Sequence, residues 1–580
     1  MKPRSVETPL SILATRFETA LRAAFGDEHA KTDPAIRRGQ HADFQADVAL
    51  GLARKLKKSP REVAEAIVAN LDVAGIASKL EIAGPGFINI TLDSDVLTRT
   101  VRAVAADPRL GVELAAQKDV IVIDYSSPNV AKEMHVGNMR STILGDAISR
   151  VGEHVGHEVV RQNHLGDWGT PFGMLIEHLI DLGGDSSALS ISDLDAFYKQ
   201  ARTKFDSDPT FVDRARLRVV ALQGGDEVTL ALWRRLVDES ARYFGKVYEY
   251  MGVKLQPADL AGESIYNPML HGVVSELREK GLLSESDGAQ CAFPPGFKNK
   301  EGEPLPLIVQ KNDGGFGYAA TDLAAVRYRQ EKLGGTRLLY VVGAPQAQHF
   351  AMVFAVAEMA GWLKPPVRAI HVAFGSILGP DKKMFKTRSG TAVKLIELLE
   401  EAKERAAVVV AEKSPDLDEA TRAEVARKVG MGAVKYGDLS SDRMKDYVFD
   451  WKRMLVFDGN TAPYIQYAYA RTQSIFKKVG PAPLDPVAIT IAEPAERALA
   501  IELFGFGAAV HEVDATLLPH KLCTYLYGVA MTFMGFYEKC SIKNAETEAI
   551  RQSRLALADV TAKVLAQGLD LLGIEVPEQM

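Results

Sequence analysis

The stretch Asp124-Tyr-Ser-Ser-Pro-Asn-Val-Ala-Lys-Glu-Met-His-Val-Gly-Asn-Met-Arg-Ser-Thr142 decides the fold. Just before it, Val120-Ile-Val-Ile123 is a β-branched run with the length and composition of a buried parallel strand. A Ser-Pro turn follows, and from about Gly137 the apolar residues Ile143, Ala147, Ile148 and Val151 recur at helical spacing. A strand, a polar turn and a helix start with a glycine make a corner whose free N–H groups and helix dipole favour an anion. The stretch therefore predicts a nucleotide site at the C-terminal edge of a parallel sheet.

Working outward, residues 158–161 supply a second strand, 164–169 a loop at the same sheet edge, and 170–182 a helix. Residues from about 185 to 250 are helical, amphipathic and charged, and read as an insertion. Strands return at 305–309, 338–342 and 369–373, which makes an alternating α/β pattern with a long interruption. After Lys394 strand signals stop. Helices run to about Tyr447 and a helical bundle fills the remainder, its last helix carrying Leu557, Thr561, Val564, Gly568 and Leu572 on one stripe. Pro481-Ala-Pro-Leu-Asp-Pro486 reads as a linker. On the N-terminal side, residues 10–25 form an amphipathic helix, and Ser59-Pro-Arg-Glu62 opens another with a capping box. Residues 81–92 form two short strands around Gly84-Pro-Gly86. Lys55, Lys57 and Lys58 suit a solvated helix end and an RNA contact equally well. The expected fold class is α/β, with a Rossmann-like parallel-sheet nucleotide-binding domain at 113–400 and a helical insertion at about 185–300. A small α/β domain at 1–112 precedes it. A helical connection at 401–455 and an all-α bundle at 456–580 follow.

A chain of 580 residues has core enough for two to four domains. With 47% hydrophobic and 25% charged residues it has the composition of a soluble globular protein. A net charge of −6 argues against indiscriminate coating of nucleic acid, although a local basic face would suffice for RNA. Cys291, Cys523 and Cys540 have neither metal-ligand nor redox spacing, which predicts free thiols, a reducing compartment and no structural zinc. Glu7 and Arg16 interrupt any signal-peptide pattern, and the most apolar later stretch, 340–363, holds Gln346, Gln348, His349 and Glu358. The expected location is cytoplasmic, with no membrane contact.

Two pieces carry the chemistry. His135-Val-Gly-Asn138 sits in the corner described above, where Gly137 leaves the backbone open to a flat base and His135 could donate to a phosphate. Gly379-Pro-Asp-Lys-Lys-Met-Phe-Lys-Thr-Arg-Ser-Gly390 places Lys382, Lys383, Lys386 and Arg388 between two glycines, and such a loop suits a triphosphate whose charge grows as pyrophosphate leaves. Together they resemble the HIGH and KMSKS signatures of the class I aminoacyl-tRNA synthetases. The flanking segments 127–135, 163–170, 385–390, 449–464 and 466–471 are similar to the arginyl-tRNA synthetases, and the resemblance extends along essentially the whole chain.

That resemblance implies an arginine–tRNA ligase. Its substrates would be L-arginine, ATP with Mg²⁺, and tRNA(Arg), and it would form arginyl-adenylate before transfer to the 3′-terminal adenosine. It implies that the 113–400 domain is catalytic, that the N-terminal domain binds tRNA, and that the C-terminal bundle binds the anticodon. The chain is expected to act as a monomer. The resemblance assigns the arginine site to Asp124, Ser126, Asn129, His135, Tyr318, Asp322 and Gln346, with Asp124 and Asp322 holding the guanidinium. Aspartates are the right residue type for a planar five-donor cation. ATP falls to His135, Gly137, Asn138, Lys383 and Lys386, with His135, Asn138, Lys383 and Lys386 as the catalytic set, and no metal ligand is assigned on the protein. For tRNA the candidates are Tyr464, Tyr467 and Arg471; the two tyrosines suit core packing as well as base stacking. Two positions depart from the signatures: Asn138 stands where the first ends in histidine, and Phe385 where the second usually has serine, a position that commonly varies among arginyl members. A neutral amide in place of a charged donor costs about 1–2 kcal/mol. The alternative is therefore an impaired paralogue that binds tRNA, regulates, or supplies a side pathway.

Overall fold

The computed structural model describes residues 8–39, 41–183, 194–385, 393–483 and 485–580. Its N-terminal module is a four-stranded antiparallel sheet in the order β1-β2-β4-β3, from Ile36–Arg38, Phe44–Ala46, Ala77–Ala83 and Phe87–Leu92. Helices Pro9–Phe25, Val48–Leu56, Pro60–Asn70 and Ser94–Ala106 accompany it. Ser59 caps Pro60–Asn70 in the expected capping box with Glu62. The β3–β4 hairpin turns through Gly84-Pro-Gly86, where Gly86 has φ +149° and an added Cβ would lie 2.6 Å from the Pro60 carbonyl.

The central sheet is fully parallel, in the order β11-β10-β5-β6, from Arg368–His371, Arg337–Tyr340, Val120–Asp124 and Glu158–Gln162. Its registers align Tyr340, Asp124 and Gln162 at one edge. The chain leaves β5 to one side for β6 and returns on the other side as β10. The crevice between the C-terminal ends of β5 and β10 is thus the topological switch point, where α/β sheets take their ligands. The helix Val136–Val155 (the signature helix) follows β5 and is buried along nearly its whole length.

Two expectations about strands need correction. The strand near 305–309 is Leu307–Gln310 (β9), and it pairs antiparallel with Ala289–Ala292 (β8), beside Ser284–Ser286 (β7), in a separate sheet. Its pattern alternates buried with exposed, whereas Arg337–Tyr340 is buried throughout; a strand with one wet face belongs to a surface sheet. The interruption of the parallel sheet therefore lasts until Arg337, and the stretch assigned as a helical insertion, about 185–300, ends in strands. Its described helices are Leu194–Ser207, Pro209–Gln223, Glu227–Met251 and Asn267–Glu279; residues 184–193 lie outside the described residues. Strand pairing also recurs after Lys394, where Tyr447–Val448 (β13) forms a short parallel ladder with Ile377–Leu378 (β12).

The rest of the chain is helical. Leu395–Lys413 and Glu419–Leu439 pack as an antiparallel pair, and Ala462–Val479, Pro494–Leu503, Phe506–Thr516, His520–Lys539 and Glu548–Leu571 form the bundle. Leu557, Thr561, Val564 and Gly568 of the last helix are buried, as its stripe predicts. Ion pairs tie the bundle to both other parts. Asp514 accepts from Arg337 of β10 at 2.9 Å, and Arg497 reaches Asp43 at 2.6 Å. All three cysteines are free and buried. Among the described residues no helix is long and apolar enough to cross a membrane.

Candidate active site

The crevice has two halves. In the first, His135 is the N-cap of the signature helix. Its Nδ1 accepts from the Gly137 N–H at 3.0 Å, while Asn138 Oδ1 accepts from the His135 N–H at 3.1 Å, a reciprocal capping box. Burial and, secondarily, Lys132 hold the imidazole pKa below its usual value, so the ring is neutral near pH 7. With Nδ1 accepting, the proton is assigned to Nε2, which leaves an N–H donor at the helix start. A Cβ on Gly137 would lie 2.7 Å from this ring, so the cap geometry itself requires glycine.

Beside the helix start lies a cavity of about 250 Å³, lined by His135, Gly137, Arg140, Gly343, Phe374 and Phe385 among others. Gly343 and Phe374, just past β10 and β11, are bridged by the Ala344 N–H donating to the Phe374 carbonyl at 2.9 Å. Where the cationic loop returns to the fold, it is stitched to the signature. The Val136 N–H donates to the Val393 carbonyl, the Leu395 N–H donates to the Met134 carbonyl, and Lys394 pairs with Glu133 at 2.6 Å. On the outgoing side Lys383 is exposed and Phe385 stacks on Phe449 with centroids 5.0 Å apart. Lys386 and Arg388 lie outside the described residues.

The second half is made of charge. Asp124, at the end of β5, is buried. Arg329 Nη2 donates to its Oδ2 at 2.7 Å, and the Ser127 hydroxyl donates to its Oδ1 at 2.8 Å. Burial alone would raise this carboxyl, but Arg329, His164 and these hydrogen bonds outweigh it and hold the pKa low. Arg329 also lies over the Tyr340 ring at 4.7 Å. Asp322, one turn into the helix Tyr318–Glu331, has its Oδ2 2.6 Å from His349 Nε2. Tyr318 opens that helix and is 77% exposed, and Gln346 is exposed at the start of the helix Ala347–Met359. Asn129 is exposed where its backbone bridges Gly166.

Three findings revise the expected set. Asp124 is not an open acceptor, because Arg329 already occupies one of its oxygens. Ser126 faces inward: it is 4% exposed, 2.8 Å from the Tyr248 hydroxyl, and accepts from Thr142 at 2.9 Å, so it braces the strand end and does not face the crevice. Glu263 was missed. It lies in the turn Glu263–Tyr266, half-buried, and desolvation followed by the charges of Asp167 and Asp322 pushes its carboxyl up to about 7. No motif surrounds it in sequence. The signal is purely spatial, a carboxylate raised by burial and then by like-charged neighbours.

Away from the crevice, Tyr464, Tyr467 and Arg471 share the helix Ala462–Val479. Tyr464 is half-buried against Tyr527, whereas Arg471 is sandwiched 4.8 Å from both the Tyr467 and Tyr537 rings. Tyr537, 38% exposed, completes a stacked cationic patch that the sequence did not single out.

Comparison with known proteins agrees along the whole chain. Residues 100–451 match the family described as tRNA synthetases class I (R), catalytic domain; residues 465–580 match the DALR anticodon binding domain; and residues 11–92 match the arginyl tRNA synthetase N terminal domain. The chain is 55% identical to an arginine–tRNA ligase of Thermobifida fusca, over 99% of this chain and 100% of the relative. It is 50% identical to one of Chromobacterium violaceum, over 98% and 99%. The solved arginyl-tRNA synthetase of Plasmodium falciparum superposes with a TM-score of 0.85 at 28% identity, covering 99% of this chain and 100% of that one. The Thermus thermophilus arginyl-tRNA synthetase gives 0.82 at 25% identity, covering 98% and 100%.

Proposed function

Given that the chain belongs to the arginyl-tRNA synthetase family and is an arginine–tRNA ligase, we propose that the two halves of its crevice divide the reaction between them. The enzyme uses ATP to activate L-arginine and transfers it to tRNA(Arg). In the first step an arginine carboxylate oxygen attacks the α-phosphorus of ATP and pyrophosphate leaves. In the second, a ribose hydroxyl of the terminal adenosine attacks the activated carbonyl and AMP leaves. Neither step needs a covalent enzyme intermediate, so the protein's work is alignment and charge stabilisation.

In this reading the adenosine of ATP occupies the 250 Å³ cavity, with its phosphates at the start of the signature helix. His135 Nε2–H donates to a phosphate oxygen, and Lys383 and Lys386 neutralise the departing pyrophosphate. Asn138 acts through His135 by capping its N–H. Mg²⁺ enters with the ATP phosphates as part of the substrate. Asp322 and Glu263 receive the guanidinium, with Tyr318 and Gln346 at the rim. Asp124 lies beneath, held by Arg329, and Asn129 takes the α-amino end. Tyr537, exposed beside Arg471 and Tyr467, offers a stacking face for an unpaired tRNA base, with Arg471 supplying the charge. One chain builds both halves, which supports a working monomer, and three free thiols fit a reducing cytoplasm.

The observation that carries this reading is the position of both halves at the switch point between β5 and β10. It is tested by ATP- and tRNA-dependent attachment of labelled arginine, with KM measured separately for each substrate. Asp322→Asn should raise KM for arginine and leave KM for ATP in place, and Gly137→Ala should do the reverse. Variants that disturb both constants alike would remove the division. No observation favours an impaired paralogue, since the crevice keeps its carboxylates and its helix-start donor.

A further inference from the structure

The turn between β5 and the signature helix follows an uncommon backbone path. Ser126, Ser127 and Ala131 have φ of +71°, +48° and +59°, in the left-handed region that residues with a Cβ avoid. Ser126 and Ala131 are buried, so their N–H groups need partners within the protein. At all three positions the partner is a side chain. The Ser126 N–H donates to Ser141 Oγ at 3.0 Å, the Ser127 N–H to Asn163 Oδ1 at 3.0 Å, and the Ala131 N–H to Ser240 Oγ at 2.9 Å. Within this turn lies Asn129, exposed, its Oδ1 against Gly166 where an added Cβ would strike it.

One element braces the turn from outside. The helix Glu227–Met251 of the insertion supplies Ser240 and, about two turns further on, Tyr248, both of them buried. The Tyr248 hydroxyl lies 2.8 Å from Ser126 Oγ and accepts from Asn163 Nδ2 at 2.9 Å. Asn163 Oδ1 takes the Ser127 N–H, which fixes the orientation of the amide, so the phenol's own proton goes to Ser126. Burial pushes the Tyr248 pKa up to about 12, and the proton stays in place. One hydroxyl therefore touches Ser126 directly and Ser127 through Asn163, while Ser240 pins Ala131 beyond Asn129. At the near end of the turn the Ser127 hydroxyl donates to Asp124 Oδ1. A left-handed path of this kind persists only where the surroundings fix it, and here they fix the backbone on both sides of Asn129.

We propose that Tyr248 and Ser240 are positioning residues for the α-amino end of arginine, through which the insertion helix splints the left-handed turn that presents Asn129. The inference rests on the placement of the α-amino group at Asn129. Both side chains are too buried to meet the substrate, so each acts through the backbone it holds.

The test removes the α-amino group from the ligand and the hydroxyl from the enzyme. Dissociation constants are measured by calorimetry for arginine and for 5-guanidinopentanoic acid, which is arginine without its α-amino group, and KM for ATP is taken from tRNA charging. Tyr248→Phe should weaken arginine about tenfold, leave the deamino acid nearly unchanged, and leave KM for ATP in place. If the two ligands weaken by the same factor, or neither weakens, Tyr248 only packs the interior and the proposal is overturned. If Tyr248→Phe does not fold, Ser240→Ala carries the test, because Ser240 reaches the turn at the Ala131 N–H alone. A smaller preference for arginine over the deamino acid supports the splint, and an unchanged preference overturns it. Asn129→Ala separates the two levels of the argument. If the native enzyme shows no preference for arginine, or Asn129→Ala keeps that preference, the placement at Asn129 fails and the proposal falls with it. If Asn129→Ala abolishes the preference while Tyr248→Phe and Ser240→Ala retain it in full, only the proposal fails.

Discussion

In the proposed placement, the nucleotide half of the crevice draws on a single helix start for the cap His135, the glycine Gly137 and the buried guanidinium of Arg140. At the arginine half, Asp124, Glu263, Asp322 and His349 come from elements far apart in the chain. The first half works through backbone N–H groups and apolar walls, and the second through ionised side chains placed against one another. In the proposed placement the difference follows from the ligands. A purine with phosphates can be held by a helix terminus and a flat cavity, whereas a guanidinium needs acidic acceptors converging from several directions. It also implies that the halves should fail separately, and a set of variants can break or sharpen that separation.

The largest effect belongs to the charged half. Asp322 has one oxygen 2.6 Å from His349, and in the proposed placement its other oxygen takes the substrate cation. Removing its charge leaves a desolvated guanidinium underpaired, a loss of about 3 kcal/mol or more than 100-fold in kcat/KM for arginine. Asp322→Asn should show this in arginine titrations at saturating ATP, with KM for ATP unmoved. An equal rise in both constants would mean that the halves are one mechanical unit.

Next comes the nucleotide half. In Gly137→Ala the new Cβ would sit 2.7 Å from the His135 ring, which must swing away and give up both its cap and its aim. Losing one aligned donor costs about 2–3 kcal/mol, so kcat/KM for ATP should fall roughly 30- to 100-fold while KM for arginine stays. Because Gly137 is exposed, thermal unfolding should barely change.

The same contrast explains what could be read before the fold was known. Chain-local features were legible: the strand before Asp124, the helix after it, the capping box at Ser59 and the stripe on the last helix each occupy one short window. So was the helix start, whose contributors His135 and Gly137 are two residues apart. Features created by pairing were not. A run such as 305–309 reads as a strand whichever sheet it joins, and only its alternating burial assigns it to the surface sheet. Glu263 has no motif around it, and its importance arises from Asp167 and Asp322 closing in from other segments. Asp124 stood out in the sequence, but its partner Arg329 lies far along the chain, so its engaged state could not be seen. The family resemblance located carboxylates, but it could not say which of them were already engaged.

A third, smaller effect is pH-dependent. Burial and two neighbouring acids push Glu263 up to about 7, so near neutrality a substantial share of the free enzyme holds it protonated. Arginine prefers the ionised form, and its charge pulls the carboxyl pKa down on binding, so binding releases a proton. KM for arginine should therefore rise as pH falls below 7, approaching a slope of about tenfold per pH unit, and flatten above about 8. Glu263→Gln should have a raised KM that no longer varies over this range. A native profile as flat as the variant's would remove Glu263 from the guanidinium site, and a parallel rise in KM for ATP would again join the halves.

The smallest effect concerns Asn138, which stands where the first signature ends in histidine. Asn138 is not an idle replacement, because its Oδ1 accepts the His135 N–H and completes the capping box that aims the imidazole. A histidine there could accept the same N–H through Nδ1 and add an Nε2–H donor toward the phosphates. The gain is one further hydrogen bond to a charged oxygen, about 1–2 kcal/mol before the cost of reseating the cap. Asn138→His should therefore raise kcat/KM for ATP by no more than about tenfold and leave arginine binding alone. Asn138→Ala removes the acceptor, unfastens His135 and should lower the same constant by a similar factor. If both variants match the native enzyme, the cap does not set the position of His135. The nucleotide half would then depend on its cavity walls, Arg140 and Phe374, more than on its helix start.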